Sequence, residues 1–234
     1  MGSRFLVGLD LGQARDPTAV VAVEQVWPGG GPAEYRVRDL RRWLGLSYVS
    51  VAGRMRALLA APELAGAALV VDKTGVGAAV VDQVRAVGLD PVAVFIHGGE
   101  RTVGAGKEWR VPKRELVGVL QVLFQAGRLK IAAGLELADT LGNELVNFKM
   151  TIDPATAHDS YAAWRERDHD DLVLALALAC WYAEKARPVA LPLVQGKARG
   201  WVAEDPARAG REVWTPGAGW GPARRRLEKG ELPW

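Results

Sequence analysis

Phe5-Leu6-Val7-Gly8-Leu9-Asp10-Leu11 is an apolar run that contains a single carboxylate, and the rest of the fold can be built outward from it. A run that is apolar on both faces is typical of a strand in the centre of a sheet. Aspartate is uncommon in strands, and a carboxylate buried there must be hydrogen-bonded, paired with a cation or bound to a metal. The run alone leaves two interpretations of Asp10 open, a satisfied polar group in the core or a metal ligand.

The patterns that follow this strand predict a mixed α/β fold. Two further strands come next, and then a helix, a strand, a helix and a strand. Right-handed crossovers place the later strands parallel to the first. Residues 97–111, rich in glycine and charge, are predicted to be a mobile loop. The predicted further strands cover residues 18–26, 35–44, 67–72 and 91–96, and the predicted helices cover residues 47–61, 75–87, 112–126, 135–148 and 170–186.

The composition excludes a disordered chain and a membrane-spanning helix. Of the 234 residues, 49% are hydrophobic and 24% are charged, as in soluble globular domains. The longest apolar run, residues 172–183, is twelve residues long, whereas a membrane span needs ~20. The net charge of +3 lies entirely in residues 188–234, which hold eight basic and five acidic side chains. Bulk charge therefore identifies no nucleic-acid binder, and we expect one domain over residues 1–187 and a Trp-, Arg-, Pro- and Gly-rich tail over residues 188–234.

Two further acidic positions stand where strands and helices meet. Asp72 ends the apolar run 67–71, at the edge of a parallel sheet where ligand-binding and catalytic groups gather. Its alternative role is to cap the next helix, for which Thr74 competes. Asp170 and Asp171 precede a helix that is apolar on every side and is therefore predicted to be buried. Their alternative role is to interact with the helix dipole.

Together, these carboxylates predict a metal site. Three or four carboxylates in one cleft repel one another, and without a counter-ion some of them stay protonated at neutral pH. A divalent cation removes this conflict, and oxygen-only ligands favour Mg²⁺ or Mn²⁺ over zinc. Two such ions about 3.5–4 Å apart form a known arrangement for in-line phosphodiester displacement.

Five short motifs, taken in order, resemble the nuclease domain of bacteriophage large terminase subunits, within the ribonuclease-H-like superfamily. The resemblance extends over residues 5–186, most of the chain. The motifs are Gly8-Leu9-Asp10, Asp16-Pro17-Thr18-Ala19, Val71-Asp72-Lys73-Thr74-Gly75-Val76-Gly77, Trp109-Arg110-Val111-Pro112-Lys113, and His169-Asp170-Asp171-Leu172-Val173 followed by Ala175-Leu176-Ala177.

The resemblance implies a metal-dependent endonuclease that cuts double-stranded DNA, built on a mixed five-stranded sheet flanked by helices. It implies that Asp10, Asp72 and Asp171 are catalytic ligands of two Mg²⁺ or Mn²⁺ ions, with Asp10 bridging the ions. Asp170 would be a neighbouring or alternative ligand. Asp16 would hold the second ion through water, or else it only forms a turn.

The same resemblance implies the biological setting. The domain would cut the viral genome during packaging, with an ATPase motor domain in the full-length protein and partners such as a portal or small terminase subunit. No membrane would be involved, and the protein would act in the cytoplasm of an infected bacterial host. The sequence departs from the family pattern at Leu174, where the family often has another acid.

Basic residues near the acids are candidate DNA contacts. Each one alone is more typical of a solvated surface charge, but as a set they can bracket the phosphates of a duplex. Phosphate contacts carry no sequence information, so we expect little base specificity. The candidates are Lys73, Arg101, Lys107, Arg110, Lys113 and Arg114.

Three alternatives stay open from the sequence alone. The first is a Holliday-junction-resolvase-like nuclease of the same fold. The second is a nucleotide-binding module, because Gly8-Leu9-Asp10-Leu11-Gly12 also resembles the first phosphate motif of actin-like ATPases. The third is an inactive packaging or docking module.

Overall fold

The structure is a computed structural model that describes residues 2–12, 16–29, 31–75, 78–150, 170–185, 212–215 and 219–222. Within these residues a mixed sheet carries helices on both faces. The strands of this sheet are β1 (Gly2–Asp10), β2 (Thr18–Trp27), β3 (Glu34–Trp43), β4 (Ala68–Asp72), β5 (Val92–His97), β6 (Val103–Ala105), β7 (Glu108–Pro112) and β8 (Leu129–Ile131). The helices are α1 (Tyr48–Leu59), α2 (Ala78–Ala86), α3 (Lys113–Gln125), α4 (Ala138–Met150) and α5 (Asp171–Lys185), with a short 3₁₀ turn at Pro62–Leu64.

The strand order is β6-β7-β5-β4-β1-β2-β3-β8. Strands β1, β2 and β3 form an antiparallel meander, while β4 and β5 run parallel to β1. The predicted mixed α/β architecture is therefore confirmed, with the first predicted strand near its centre. The sheet has eight strands rather than five because three short strands extend its two edges.

The predicted mobile loop over residues 97–111 is wrong. This segment folds back on itself, and β6 pairs antiparallel with β7 while β7 pairs parallel with β5. Gly104 and Gly106 adopt positive φ angles of 146° and 59°, which residues with a Cβ avoid. The indole N–H of Trp109 donates to the Gly106 carbonyl at 3.0 Å and closes the turn. The glycines that indicated a loop are in fact the residues that permit this hairpin.

A β-bulge in β3 decides which of its side chains face α5. The register with β2 shifts between Ala22 and Val23, so Asp39 pairs with Ala22 and Val37 pairs with Val23. One extra residue on one strand exchanges the two faces beyond the bulge. Beyond the bulge, Leu40 therefore faces α5, and so does the next residue but one, Arg42.

Helix α5 lies directly on the sheet and runs antiparallel to β1. A Cβ on Gly8 would stand 1.8 Å from the carbonyl oxygen of Ala175, so no larger residue fits at this crossing. Near the other end of the helix, Arg4 donates from Nη2 to the carbonyl of Ala183 at 3.0 Å. The first turn of α5 is thereby placed over the carboxyl end of β1. Helices α3 and α4 share this face of the sheet, and α1 and α2 cover the other.

The predicted helices are all present, with their ends shifted by a few residues. Ser47 caps α1 as expected, and its hydroxyl accepts from the Ser50 amide at 3.2 Å. Within the described part of the chain, no helix has the length and apolar character needed to cross a membrane. Residues 151–169 lie outside the described residues. Of residues 188–234, the structure describes one antiparallel pair of strands, β9 (Glu212–Thr215) and β10 (Gly219–Pro222). The domain boundary after residue 187 stays a prediction.

Candidate metal centre

Asp10 and Asp72 end neighbouring parallel strands at the same edge of the sheet. The last residues that pair between β1 and β4 are Leu9 and Val71, and the two aspartates follow them directly. Adjacent strands are ~4.8 Å apart, so the two residues lie side by side. Leu9 and Val71 face α1 and α2, which turns both aspartates to the α5 face. Asp10 is 8% exposed and Asp72 is 2% exposed.

The carboxylate of Asp72 is held by the turn that follows β4. Its Oδ1 accepts from the backbone N–H of Thr74 at 2.7 Å and from the Thr74 hydroxyl. That hydroxyl in turn accepts from the amide of Ile96 on β5 at 2.7 Å. Among the described residues, helix α2 begins at Ala78. Through these hydrogen bonds, Asp72 and Thr74 together fix the backbone at the end of β4.

Asp171 is the first residue of α5, and its carboxylate accepts a hydrogen bond from Arg42 on β3. Arg42 on β3 pairs with Ala19 on β2, and Ala19 pairs with Asp10 on β1, so these three residues form one row across the sheet. The Arg42 Nη2 lies 2.6 Å from Asp171 Oδ2. Because Arg42 belongs to the row of Asp10, this contact places the first turn of α5 above that row. Asp171 is 8% exposed.

Glu144 on α4 is a fourth buried carboxylate at this corner, and the sequence analysis missed it. Its Oε2 accepts from the amides of Leu172 at 3.0 Å and Val173 at 3.1 Å, which satisfies two unpaired N–H groups at the start of α5. Its Oε1 lies 3.4 Å from Arg42 Nη2. Burial raises the pKa of Glu144 to about 8, and the nearby charge of Asp171 acts in the same direction.

A sequence signal for Glu144 did exist. The predicted helix carries leucines at every fourth position, and Glu144 stands three residues after Leu141 and one before Leu145. Residues at these spacings share the apolar face of a helix. A glutamate on that face is expected to be buried and therefore to need a partner.

Asp170 and Lys113 form the outer side of the same corner. The carbonyl of Asp170 accepts the amide of Leu174 at 2.9 Å, which makes Asp170 the residue that precedes the first helical turn. Lys113 is half-buried at the start of α3. Burial lowers the pKa of Lys113 to about 7, and the negative charge of Asp170 opposes that shift. Lys113, predicted as a surface DNA contact, thus belongs to the environment of the acids.

Asp16 differs from the other predicted acids because it is exposed, in the bend before β2. Its carbonyl oxygen lies 2.0 Å from where a Cβ on Gly12 would stand. Such close packing of the backbone fits the turn-forming alternative for Asp16. A role in holding an ion through water stays a prediction.

The donor set at this corner consists of carboxylate oxygens, which fits a hard cation such as Mg²⁺ or Mn²⁺. Two adjacent buried carboxylates, Asp10 and Asp72, also need a compensating charge or a proton. Among the described residues, however, no three His, Cys, Asp or Glu side chains lie close enough together to hold an ion. The carboxylate of Asp171 is held by Arg42 instead.

Lys73, the predicted DNA contact that directly follows Asp72, forms an ion pair at the surface of the protein. Its ammonium pairs with Glu108 on β7, which also accepts from Arg85 Nη2 at 2.8 Å. The hydrogen bonds from Lys73 and Arg85 lower the pKa of Glu108. Lys73 therefore links the end of β4 to β7.

The other predicted DNA contacts are exposed around the β6–β7 hairpin. Arg101 precedes the hairpin, and Lys107 in its turn lies 3.3 Å from Asp90 Oδ2. The guanidinium of Arg110 lies 4.7 Å from the centre of the Phe95 ring. Arg114 donates to the Glu100 carbonyl at 2.8 Å. These four basic residues are all exposed along the segment from residue 101 to residue 114, and we call them together the hairpin surface.

Comparison with solved structures finds matches to viral terminase nuclease domains and to a bacterial RuvC. The large terminase nuclease from thermophilic phage G20c is 20% identical, with a TM-score of 0.48 over 78% of this chain and 82% of that chain. The human cytomegalovirus terminase nuclease domain is 15% identical, with a TM-score of 0.44 over 79% of this chain and 85% of that chain. RuvC from Thermus thermophilus is 15% identical, with a TM-score of 0.28 over 78% of this chain and 94% of that chain.

The G20c nuclease has also been solved with bound zinc, and the cytomegalovirus domain after soaking with Mn. No protein-family model and no curated protein matches this chain. The similarities to these solved structures concern the fold alone.

Proposed function

We propose that this chain is a metal-dependent endonuclease that cleaves double-stranded DNA, as the genome-cutting domain of a viral packaging terminase. The observation that carries the proposal is the pair Asp10 and Asp72, buried side by side at the carboxyl ends of β1 and β4. The acidic first turn of α5, with Asp171, lies above the same row of the sheet. Such a donor set suits hard divalent cations, and the motif resemblance supports the terminase assignment.

Each residue of the site has a proposed role. When bound, two Mg²⁺ or Mn²⁺ ions would activate a water molecule and stabilise the leaving oxygen in phosphodiester hydrolysis. Asp10, Asp72 and Asp171 would hold the ions, and Asp170 would serve as a neighbouring ligand. The Thr74 contacts orient the Asp72 carboxylate before any ligand arrives.

The hairpin surface would hold the DNA backbone. Its cations lie on the segment that follows β5, and β5 pairs directly with β4, the strand that carries Asp72. Backbone contacts carry no base information, so cleavage is expected to show little sequence preference.

Gly8 and Gly12, the two glycines of the stretch that resembles an actin-like phosphate motif, are required by packing within this chain. At Gly8, where α5 crosses β1, a Cβ would meet the carbonyl of Ala175. Gly12 packs against the backbone of Asp16 and Pro17. Neither glycine therefore needs a bound phosphate to account for it, which favours the nuclease over the nucleotide-binding alternative.

Substitution of the paired aspartates tests the function. Asp10→Asn and Asp72→Asn should each abolish Mn²⁺-dependent cutting of plasmid DNA while the melting temperature stays similar or rises, because each change removes repulsion between buried carboxylates. Asp82→Asn, at an exposed side chain on α2, is the matched control and should cut like the unmodified protein. Full activity of either site variant would refute the proposal, and branched DNA assayed in parallel distinguishes a junction-resolving nuclease.

A further inference from the structure

We propose that Arg42 is an internal counter-cation for Asp171, which a divalent metal ion must displace before Asp171 can join the metal site. This inference rests on the proposed function, because it concerns the same carboxylates. It explains why the structure brings the acids to one corner of the sheet while their side chains form no ready-made group of three among the described residues.

The position of Arg42 follows from the bulge in β3. Without the extra residue, the faces of the strand would be exchanged and Arg41 would point toward α5 instead. With it, Arg42 shares the α5 face with Leu40 and stands two strands away from Asp10. At ~4.8 Å per strand this separation is roughly 10 Å. The Asp171 carboxylate is therefore engaged by a side chain from β3 and not by one from β1 or β4, the strands that carry the pair.

The hydrogen bonding of Arg42 is incomplete. Its Nη2 bonds to Asp171 at 2.6 Å, but Glu144 Oε1 lies farther off at 3.4 Å. Within the described residues, the buried Arg42 Nε and the buried Glu144 Oε1 have no hydrogen-bond partner. A guanidinium has five N–H donors and binds a carboxylate most firmly through two parallel bonds. An ion pair with only one hydrogen bond holds Asp171 when no metal is present, and breaking it to release Asp171 requires little free energy.

Loss of Arg42 would therefore have two opposite effects. Without metal, Asp171 and Glu144 would face each other with no cation between them, and the protein would become less stable. With metal, Asp171 would be available as a ligand without first breaking an ion pair, and the ion would bind more tightly. A purely structural role of Arg42 predicts only the first effect.

Calorimetric titration of the full chain with Mn²⁺, paired with melting in EDTA and in Mn²⁺, tests the proposal. Arg42→Gln should bind Mn²⁺ roughly tenfold more tightly than the unmodified protein, equivalent to about 1.4 kcal/mol, because the ion no longer has to break a charge-assisted hydrogen bond. It should also melt lower in EDTA and gain more on addition of Mn²⁺. Arg38→Gln is the matched control on the same strand, because Arg38 pairs with Glu24 at 2.6 Å, and it should leave Mn²⁺ affinity unchanged.

Two further variants distinguish a specific ion pair from a general effect of charge. Lys113→Gln also removes a positive charge near the acids, so an equal gain in affinity there would overturn the proposal in favour of a general charge effect. Arg42→Lys keeps the charge with a smaller donor group and should fall between Arg42→Gln and the unmodified protein, which preserves the test if Arg42→Gln does not fold.

The outcomes separate this inference from the proposed function. If Asp10→Asn abolishes Mn²⁺ binding but Arg42→Gln binds Mn²⁺ with unchanged or weaker affinity, the role of Arg42 is overturned and the proposed function stands. A lack of Mn²⁺ binding by the unmodified protein overturns both proposals.

Discussion

Gly8 of β1 and Ala175 of α5 lie in close backbone contact, since a Cβ on Gly8 would stand 1.8 Å from the Ala175 carbonyl oxygen. Ala175 is one helical turn after Asp171, and Gly8 is two residues before Asp10. This contact therefore sets how far the acidic turn of α5 lies from the acidic end of β1. Stability and the geometry of the site depend on the same crossing.

Replacement of Gly8 by alanine should destabilise the protein. The added methyl would overlap backbone atoms that cannot move without displacing α5, and overpacking of this kind costs about 1–3 kcal/mol or more. Urea unfolding measures the change. Gly53→Ala is the matched control, because its Cβ would meet nothing within 4 Å and it lies within α1. That variant should gain about 0.5–1 kcal/mol, and equal effects of the two changes would contradict the packing argument.

The pH dependence of stability should carry a contribution from Glu144. Because its pKa in the folded protein is about 8, above its ordinary value of 4.5, the folded state binds the proton more tightly than the unfolded state. The stabilisation is complete below pH 4.5 and is lost as the pH rises through 8. Glu144→Gln should therefore remove part of the decline in unfolding free energy over this pH range, measured by urea unfolding in EDTA. The same decline in both proteins would show that Glu144 titrates normally.

Lys113 should contribute with the opposite sign. Its folded-state pKa is about 7, below the ordinary 10.5, so the folded protein releases this proton before the unfolded chain does. Stability relative to a Lys113→Met variant should therefore rise between pH 7 and pH 10.5. Lys107→Met, in the turn of the hairpin, serves as the control. A constant difference between the unmodified protein and Lys113→Met across this range would contradict the assigned environment of Lys113.

The hairpin surface should govern DNA affinity without affecting sequence preference. Joint replacement of Arg101, Lys107 and Arg110 by glutamine should weaken binding equally to duplexes of unrelated sequence. The slope of log affinity against log salt should become shallower by about 0.9 for each phosphate that the protein no longer neutralises. Fluorescence anisotropy across a salt series measures both quantities. Arg56→Gln on α1 is the control, and weaker binding to one sequence only would argue against backbone recognition.

Much of the fold could be predicted from local patterns. The apolar run ending at Asp10 predicts a central strand, and the run ending at Asp72 predicts its parallel neighbour. Both predictions hold because buried parallel strands need continuous apolar residues on both faces. The extra strands at the edges were missed because β6 and β8 have only three residues each, too few to show a period. The glycines of the hairpin were interpreted as mobility, whereas they supply its positive φ angles.

The candidate site could be predicted only in part. Asp10, Asp72 and Asp171 could be predicted from the sequence, and their metal-binding and catalytic roles stay predictions. Lys73 was predicted to contact DNA, and the structure places its ammonium against Glu108. Glu144 was missed, although its spacing from Leu141 and Leu145 places it on the apolar face of its helix, where the structure buries it.

The sequence by itself determined which segments are buried and where a carboxylate interrupts them, because burial and strand or helix period leave their mark on neighbouring residues. Only the tertiary structure decided which charges meet. Arg42 and Asp171 are 129 positions apart, and their contact depends on a one-residue bulge and on the direction in which α5 crosses β1. Contacts of this kind leave no local pattern, because they arise from the register between strands and the packing of a helix on a sheet.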